Sequence, residues 1–184
     1  TNVSAQENSV RLIQKEIDAG LRVFAENDNI YPVTLEVSFT LKNSRSTKGD
    51  PIIVVIAGRS QAFITDLYPI KEDEYWDMKS SYIFYIGDIF ANHDDRIAYR
   101  LPYKKGTSKK IDQGYNGRFS HNGNSRYALD FNMDEGTEIY ASRSGLVTDI
   151  EESYSEGSDD NRLIDKANYI SILHSDGTFG EYSH

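Results

Sequence analysis

Alternating apolar and polar positions dominate the first half of the chain. Residues 33–41 (VTLEVSFTL) alternate throughout, which is typical of a strand with one buried face. Residues 51–57 (PIIVVIA) form a continuous run rich in β-branched side chains, and this pattern predicts a strand buried on both faces. Residues 61–70 and 80–89 have the same character, and polar or glycine-containing segments separate the runs. The pattern therefore predicts a β-sandwich over roughly residues 20–95.

One segment near the start fits a helix. Val10, Ile13 and Ile17 repeat at helical spacing, and Gly20 supplies a stop signal. The spacing predicts a helix, although a strand also accommodates these positions.

A second β-rich unit is predicted from near Arg96. Its expected strands are 126–131, 137–141 and 146–150, with turn glycines at Gly136 and Gly145. A final hairpin is expected from residues 168–174 and 178–184, joined by the turn Ser175-Asp176-Gly177. The fold class is thus predicted to be mainly β, with an N-terminal sandwich-like domain at 1–95 and a second antiparallel domain at 96–184.

Composition narrows the possible chemistry. The 184 residues include no cysteine, which excludes disulfides, thiol nucleophiles and cysteine-ligated metals. No run of 18 apolar residues occurs, so no membrane span is predicted. The chain begins Thr1-Asn2-Val3-Ser4, without Met or a signal peptide, and we expect a processed start. Any metal must be held by carboxylates and by the four histidines, His93, His121, His174 and His184.

The net charge of −9 argues against nucleic acid as a partner, because the chain as a whole repels phosphates. Residues 96–126 form a basic stretch in which Asp112 is the single acidic residue. A solvated face is the simpler interpretation of this stretch. The functional interpretation is that this basic stretch binds an anionic polymer locally.

Two residues suggest a metal site. Asp130 lies in the alternating segment Tyr127–Phe131, on the same side as the small Ala128, which leaves room beside the carboxylate. His121 lies nine positions earlier, before the flexible Asn122-Gly123-Asn124, so a loop is able to bring it back over the strand. A histidine nitrogen and a carboxylate oxygen suit zinc, although on spacing alone a loop histidine and a hydrogen-bonding aspartate are the simpler interpretation.

A longer series of motifs extends this pair. They stand in the order seen in lysostaphin-like zinc metallopeptidases, which the chain resembles over about residues 98–184. The motifs are Leu101-Pro102-Tyr103, Gln113-Gly114-Tyr115, Ser120-His121-Asn122-Gly123, Arg126-Tyr127-Ala128-Leu129-Asp130-Phe131, Glu135-Gly136-Thr137, Tyr140-Ala141, Gly145-Leu146-Val147, Lys166-Ala167-Asn168-Tyr169-Ile170, His174-Ser175-Asp176-Gly177-Thr178 and Tyr182-Ser183-His184.

The resemblance implies an activity and roles for individual residues. It implies a Zn²⁺-dependent endopeptidase that hydrolyses peptidoglycan peptides and is exported to the periplasm or cell envelope. His121 and Asp130 match the first two zinc ligands, and His184 matches a catalytic histidine near the zinc-bound water. The family's third ligand comes from a later His-x-His motif, which this sequence lacks. We therefore expect the second domain to be incomplete at its C-terminus and the chain to be inactive by itself.

Two other functions compete with this one. A non-catalytic lysostaphin-like module would bind cell wall or activate cell-wall enzymes, and the missing third ligand fits that alternative. A serine hydrolase is suggested by Gly58-Arg59-Ser60-Gln61-Ala62, but a nucleophile elbow requires a helix immediately after the serine. The β-like sequence that follows Ser60 argues against it.

Overall fold

A computed structural model of the protein describes residues 9–155 and 167–183. The predicted mainly β class is confirmed, since antiparallel strands dominate these residues. The strands are β1 (Val10–Ile17), β2 (Gly20–Asn27), β3 (Val33–Lys42), β4 (Ser44–Ser46), β5 (Ile52–Ile56), β6 (Ser60–Pro69), β7 (Asp77–Ile86), β8 (Lys110–Gln113), β9 (Asp130–Asn132), β10 (Leu146–Glu151), β11 (Tyr169–Leu173) and β12 (Phe179–Ser183). A 3-10 turn at Gly123–Ser125 is the helical element of the described residues.

The helix predicted near the N-terminus is wrong. Residues 10–17 form β1, which pairs with β2 along its whole length, from Val10 opposite Asn27 to Ile17 opposite Gly20. The apolar positions that suggested helical spacing lie in a long hairpin, where pairing with a neighbouring strand outweighs the local pattern.

Two sheets share one apolar core. The first has the order β1-β2-β6-β4 and the second the order β5-β3-β7. Val33, Leu35, Val37 and Phe39 alternate along β3 and are all buried, as the sequence pattern predicts. They belong to a single cluster with buried residues of β1, β2, β5 and β6. This packing is consistent with the predicted sandwich-like arrangement.

The prediction that β5 is buried on both faces is wrong. β5 is an edge strand and pairs with β3 alone. Ile52 and Ile56 point into the core, whereas Ile53 is 47% exposed. The apolar run therefore marks an edge strand with one solvated face.

Ser60 begins β6 and donates its hydroxyl hydrogen to the Ala57 carbonyl at 2.7 Å. A strand follows it, where a nucleophile elbow would need a helix, as the sequence indicated.

The last sheet has the order β10-β11-β12. The predicted hairpin is present, with β11 and β12 antiparallel and Gly177 at a φ of 83° in the turn between them. His184, the last residue of the predicted hairpin, lies outside the described residues, as does part of the acidic loop after β10.

Residues 96–144 are largely irregular. β8 and β9 pair there, and β9 begins only at Asp130, so the strand predicted at 126–131 is shorter than expected. The strand predicted at 137–141 is wrong, because these residues form no ladder. A turn at 134–136 precedes them, with Gly136 at a φ of 79°, as the turn prediction requires.

Contacts divide the chain into two compact units. One contains the residues up to Asp95 and those from Gly145 onward, and the other spans Arg96–Ser144. The β10-β11-β12 sheet was predicted as part of the second domain but groups with the N-terminal residues in this division. The boundary between functional domains stays a prediction. Neither described range holds a helix long and apolar enough to cross a membrane.

Candidate metal centre

His121 and Asp130 come together in the unit formed by residues 96–144. His121 precedes the 3-10 turn, and Asp130 is the first residue of β9. Their side chains meet with Nε2 of His121 2.9 Å from Oδ1 of Asp130. His121 is only 4% exposed, whereas the Asp130 side chain is 52% exposed. The imidazole of the pair is thus buried, whereas the carboxylate is open to solvent.

The other ring nitrogen of His121 fixes the orientation of the imidazole. Nδ1 lies 2.8 Å from the Gly114 carbonyl oxygen, which only accepts hydrogen bonds, so Nδ1 is the donor. Histidines that ligate metals commonly donate the second ring nitrogen to a carbonyl or carboxylate in this way. Nε2 is consequently the nitrogen that faces Asp130 and would face an ion.

Short-range contacts bring the loop back to the strand. The Asn116 amide donates to the Arg126 carbonyl at 2.7 Å, which ties the two ends of the loop together. Asn116 and Gly123 have positive φ values of 57° and 54°, so the chain reverses at each of them. The sequence predicted that a loop brings His121 back over the strand, and this closed loop does so.

Gln113 contacts the His121–Asp130 pair, and sequence reasoning assigned it no role. A register shift in the β8–β9 ladder places it directly opposite Asp130. Its side-chain Nε2 lies 3.2 Å from Oδ2 of Asp130 and 2.7 Å from the Ser120 hydroxyl. The sequence signal was its place in the motif Gln113-Gly114-Tyr115, but a motif alone assigns no contact.

Asp112, the residue next to Gln113, is engaged elsewhere. Its carboxylate accepts from Lys110 Nζ at 2.5 Å and from Asn132 Nδ2 at 2.6 Å. These hydrogen bonds, the Lys110 one first, lower the pKa of Asp112 below its usual value. Asp112 is therefore ion-paired with Lys110 and is not part of the His121–Asp130 pair.

The donor set fits zinc in kind but supplies two ligands. Two ligands of a tetrahedral zinc ion, each about 2.0–2.2 Å from the metal, lie about 3.3 Å apart. His121 Nε2 and Asp130 Oδ1 are at the shorter, hydrogen-bonding distance of 2.9 Å, so the two side chains would have to move slightly apart to share an ion. Residues 9–155 and 167–183 contain no group of three or more histidine, cysteine or carboxylate side chains placed to share an ion. His184, which the resemblance identifies as a catalytic histidine, lies outside these described residues.

The two remaining histidines lie in the other compact unit. His93 Nδ1 is 2.9 Å from Asp95 Oδ1, and its side chain is partly exposed. His174 is buried at the end of β11, where its backbone amide donates to the Thr178 carbonyl at 2.8 Å.

Exposed aromatic and cationic side chains lie close in the sequence to His121 and Asp130. Tyr115 and Tyr127 form an edge-to-face contact with ring centroids 5.8 Å apart. The guanidinium of Arg126 lies over the Tyr127 ring, 4.8 Å from its centroid. Both tyrosines are exposed, so this cluster offers an apolar and cationic surface to solvent.

No family model matches the chain, and neither the curated proteins nor the solved structures contain a match to it.

Proposed function

We propose that this chain is a zinc-dependent endopeptidase of bacterial cell-wall peptidoglycan, exported to the periplasm or cell envelope. The observation that carries the proposal is the approach of His121 Nε2 to Asp130 Oδ1, with Nδ1 anchored on the Gly114 carbonyl. The ordered motifs that resemble lysostaphin-like metallopeptidases support the same conclusion, because these two residues occupy the ligand positions of that pattern.

In this proposal, His121 and Asp130 hold the zinc ion. The chemistry that such an ion would supply is a more acidic bound water and a polarised carbonyl of the scissile peptide bond. Because Nδ1 donates to the Gly114 carbonyl, Nε2 is the ring nitrogen that would bind the ion, in place of its hydrogen bond to Asp130 Oδ1. The exposed side of Asp130 leaves an approach for substrate. His184 is the residue proposed to orient the water or stabilise the oxyanion.

The substrate class follows from the same proposal. Peptidoglycan peptides carry free carboxylates, and an arginine is well suited to bind a carboxylate. Arg126, which stacks on Tyr127 in the segment between His121 and Asp130, is the side chain that we propose to contact such a group. Arg118, on the loop between Gly114 and His121, adds a second exposed cation.

A zinc site with two protein ligands is weak, because catalytic zinc is normally held by three. The sequence contains no His-x-His motif to supply the third. We therefore expect this chain by itself to bind zinc more weakly than a three-ligand site does and to show little or no hydrolysis.

The second candidate is a non-catalytic module that binds cell wall or activates a cell-wall hydrolase. It is favoured by one observation, that the His121–Asp130 pair has no third ligand among the described residues. In such a module the pair would act as a structural hydrogen bond, and substituting it would leave binding to the cell wall intact if the fold survived.

The test combines zinc binding with two cell-wall assays. Zinc affinity is measured by isothermal titration for wild type, His121→Ala, Asp130→Ala and, as a matched histidine control in the other unit, His93→Ala. The proposal expects binding in wild type and His93→Ala and its loss in the other two. Purified peptidoglycan is then assayed for zinc-dependent release of amino groups and for co-sedimentation of the protein. Co-sedimentation that is equal in all four proteins, with no zinc binding in any, would establish the module and refute the metallopeptidase.

A further inference from the structure

We infer that Gln113 is a positioning residue that holds the Asp130 carboxylate and the His121 loop in the arrangement needed for metal binding. The inference rests on the proposed function, since it assigns a role within the same site. The side-chain amide of Gln113 contacts both the loop that carries His121 and the strand that carries Asp130.

Each polar atom of this amide has a partner. Oε1 accepts the Phe119 amide hydrogen at 3.2 Å. Nε2 donates to the Ser120 hydroxyl at 2.7 Å and to Asp130 Oδ2 at 3.2 Å, which uses both of its hydrogens. Phe119 and Ser120 are the two residues directly before His121. One side chain therefore links the end of the loop to the carboxylate.

The backbone makes room for this link. A Cβ atom at Gly117 would lie 2.2 Å from Gln113 Cγ, so a larger residue there would displace the Gln113 side chain. The Gly117 amide also donates to the Gly114 carbonyl at 3.1 Å, and the same carbonyl accepts from His121. The Gly114 carbonyl therefore accepts hydrogen bonds from both Gly117 and His121, and the loop folds closely around the Gln113 side chain.

The two oxygens of Asp130 are given different roles by these contacts. Oδ1 faces His121 Nε2, while Oδ2 is held by Gln113. Oδ1 is therefore the oxygen of Asp130 that would be left for an ion, while the hydrogen bond from Gln113 to Oδ2 restricts rotation of the carboxylate. Groups that hydrogen-bond to metal ligands typically contribute 10–100-fold in metal affinity, because they orient the ligand before the ion arrives.

The test uses Gln113→Met, which keeps the bulk of the side chain and removes its polar atoms, and Gln113→Ala. Gln61→Ala is the matched control, because Gln61 also donates a side-chain hydrogen bond to a carboxylate, that of Glu26 at 2.9 Å, in the other compact unit. Zinc affinity is measured by isothermal titration well below the thermal unfolding midpoint. Exchange of the Phe119 amide hydrogen is followed by NMR without metal.

We expect both Gln113 variants to bind zinc about 10–100-fold more weakly than wild type, with faster Phe119 exchange and an unchanged circular dichroism spectrum. Gln61→Ala should match wild type in both measurements. A purely structural role would lower the unfolding midpoint and leave the zinc affinity of the folded protein unchanged, and that result would overturn the inference.

Failure of the proposed function gives a different result. If the wild-type chain binds no zinc, the metallopeptidase proposal falls and the metal role of Gln113 falls with it. The Phe119 exchange rate would then decide alone whether Gln113 orders the loop: unchanged exchange in Gln113→Met would overturn that part as well.

Discussion

Arg22 and Asp66 face each other across the β2–β6 pair, and their side chains meet in two parallel hydrogen bonds. Arg22 Nε lies 2.7 Å from Oδ1 of Asp66, and a terminal guanidinium nitrogen lies 2.8 Å from Oδ2. The hydrogen bonds from Arg22 lower the pKa of Asp66 below its ordinary value. Since the folded state favours the ionised carboxylate, the pair stabilises the fold above the unfolded-state pKa of about 3.9 and this contribution is lost as pH falls through the lower, folded-state value.

Asp66→Asn should therefore unfold at a lower urea concentration than wild type at pH 7, because one charged partner is removed. The difference between the two proteins should shrink as pH falls below about 4. Urea midpoints between pH 7 and pH 2 measure this directly. Asp18→Asn, the same charge change in the β1–β2 turn, serves as the control and should give a smaller difference with no such narrowing. A wild-type advantage over Asp66→Asn that persists undiminished at the lowest pH would contradict the prediction.

Asn27 is a fully buried polar residue that closes the end of β2. Its Nδ2 donates to the carbonyls of Tyr31, Ile56 and Ala57 at 2.9–3.1 Å, and its Oδ1 accepts the Asn29 amide at 3.0 Å. Asn27→Ala would leave several of these groups without a partner away from water, which typically costs about 1–3 kcal/mol. We expect a loss of that size in the free energy of unfolding, measured with urea, and a smaller loss for Asn29→Ala. Asn29 Nδ2 donates to Asn27 Oδ1 at 2.9 Å from the half-buried end of the same network, so equal losses would show that burial of Asn27 does not set the cost.

The fold was predictable where one strand face is buried along its length. The alternation over residues 33–41 led directly to β3, since burial of every second residue is a local rule that the sequence displays. The β1–β2 hairpin was missed because Val10, Ile13 and Ile17 follow the helical period, and only pairing with residues 20–27 makes the segment a strand. The exposure of Ile53 depends on β5 being an edge strand, which is a property of sheet order that a single segment does not encode.

The candidate site was predictable in its two main residues and not in their support. His121 and Asp130 were identified from residue type and motif, and the structure brings them together. The Gly114 carbonyl and the Gln113 amide were not identified, because their roles depend on a register shift and a closed loop. Whether the pair binds zinc stays a prediction.

Tyr169 and Asp149 provide a second test of electrostatics, at alkaline pH. The Tyr169 hydroxyl donates to Asp149 Oδ2 at 2.7 Å, and this hydrogen bond, with burial and the nearby negative charge, raises the pKa of Tyr169 to about 12. The folded state favours the neutral phenol, so the interaction stabilises the fold below the unfolded-state pKa of about 10 and is lost as pH rises towards 12.

We expect Asp149→Asn to lower the pKa of Tyr169 towards about 10, because the charge that opposes phenolate formation is removed. Phenolate absorbance is titrated in each protein, and the contribution of Tyr169 among the 13 tyrosines is isolated by subtracting the titration of a Tyr169→Phe variant in the same background. A Tyr169 titration midpoint that is the same with Asp149 and with Asn at that position would show that the hydrogen bond does not control it.

Gly145 tests the close packing at the start of β10. The sequence predicted a turn glycine, but Gly145 lies in no turn and has no positive φ. The structure gives a different reason for the residue, which is the approach of the neighbouring strand. A Cβ atom at Gly145 would lie 2.3 Å from the Leu173 carbonyl oxygen and 2.5 Å from Ile172 Cγ2, and backbone atoms do not yield easily. Gly145→Ala should therefore lower the free energy of unfolding by about 1–3 kcal/mol. Gly49→Ala is the control, since a Cβ atom there meets nothing within 4 Å. Urea unfolding of both variants measures the difference, and a Gly145→Ala protein as stable as the Gly49→Ala protein would mean that the strands separate readily at this point.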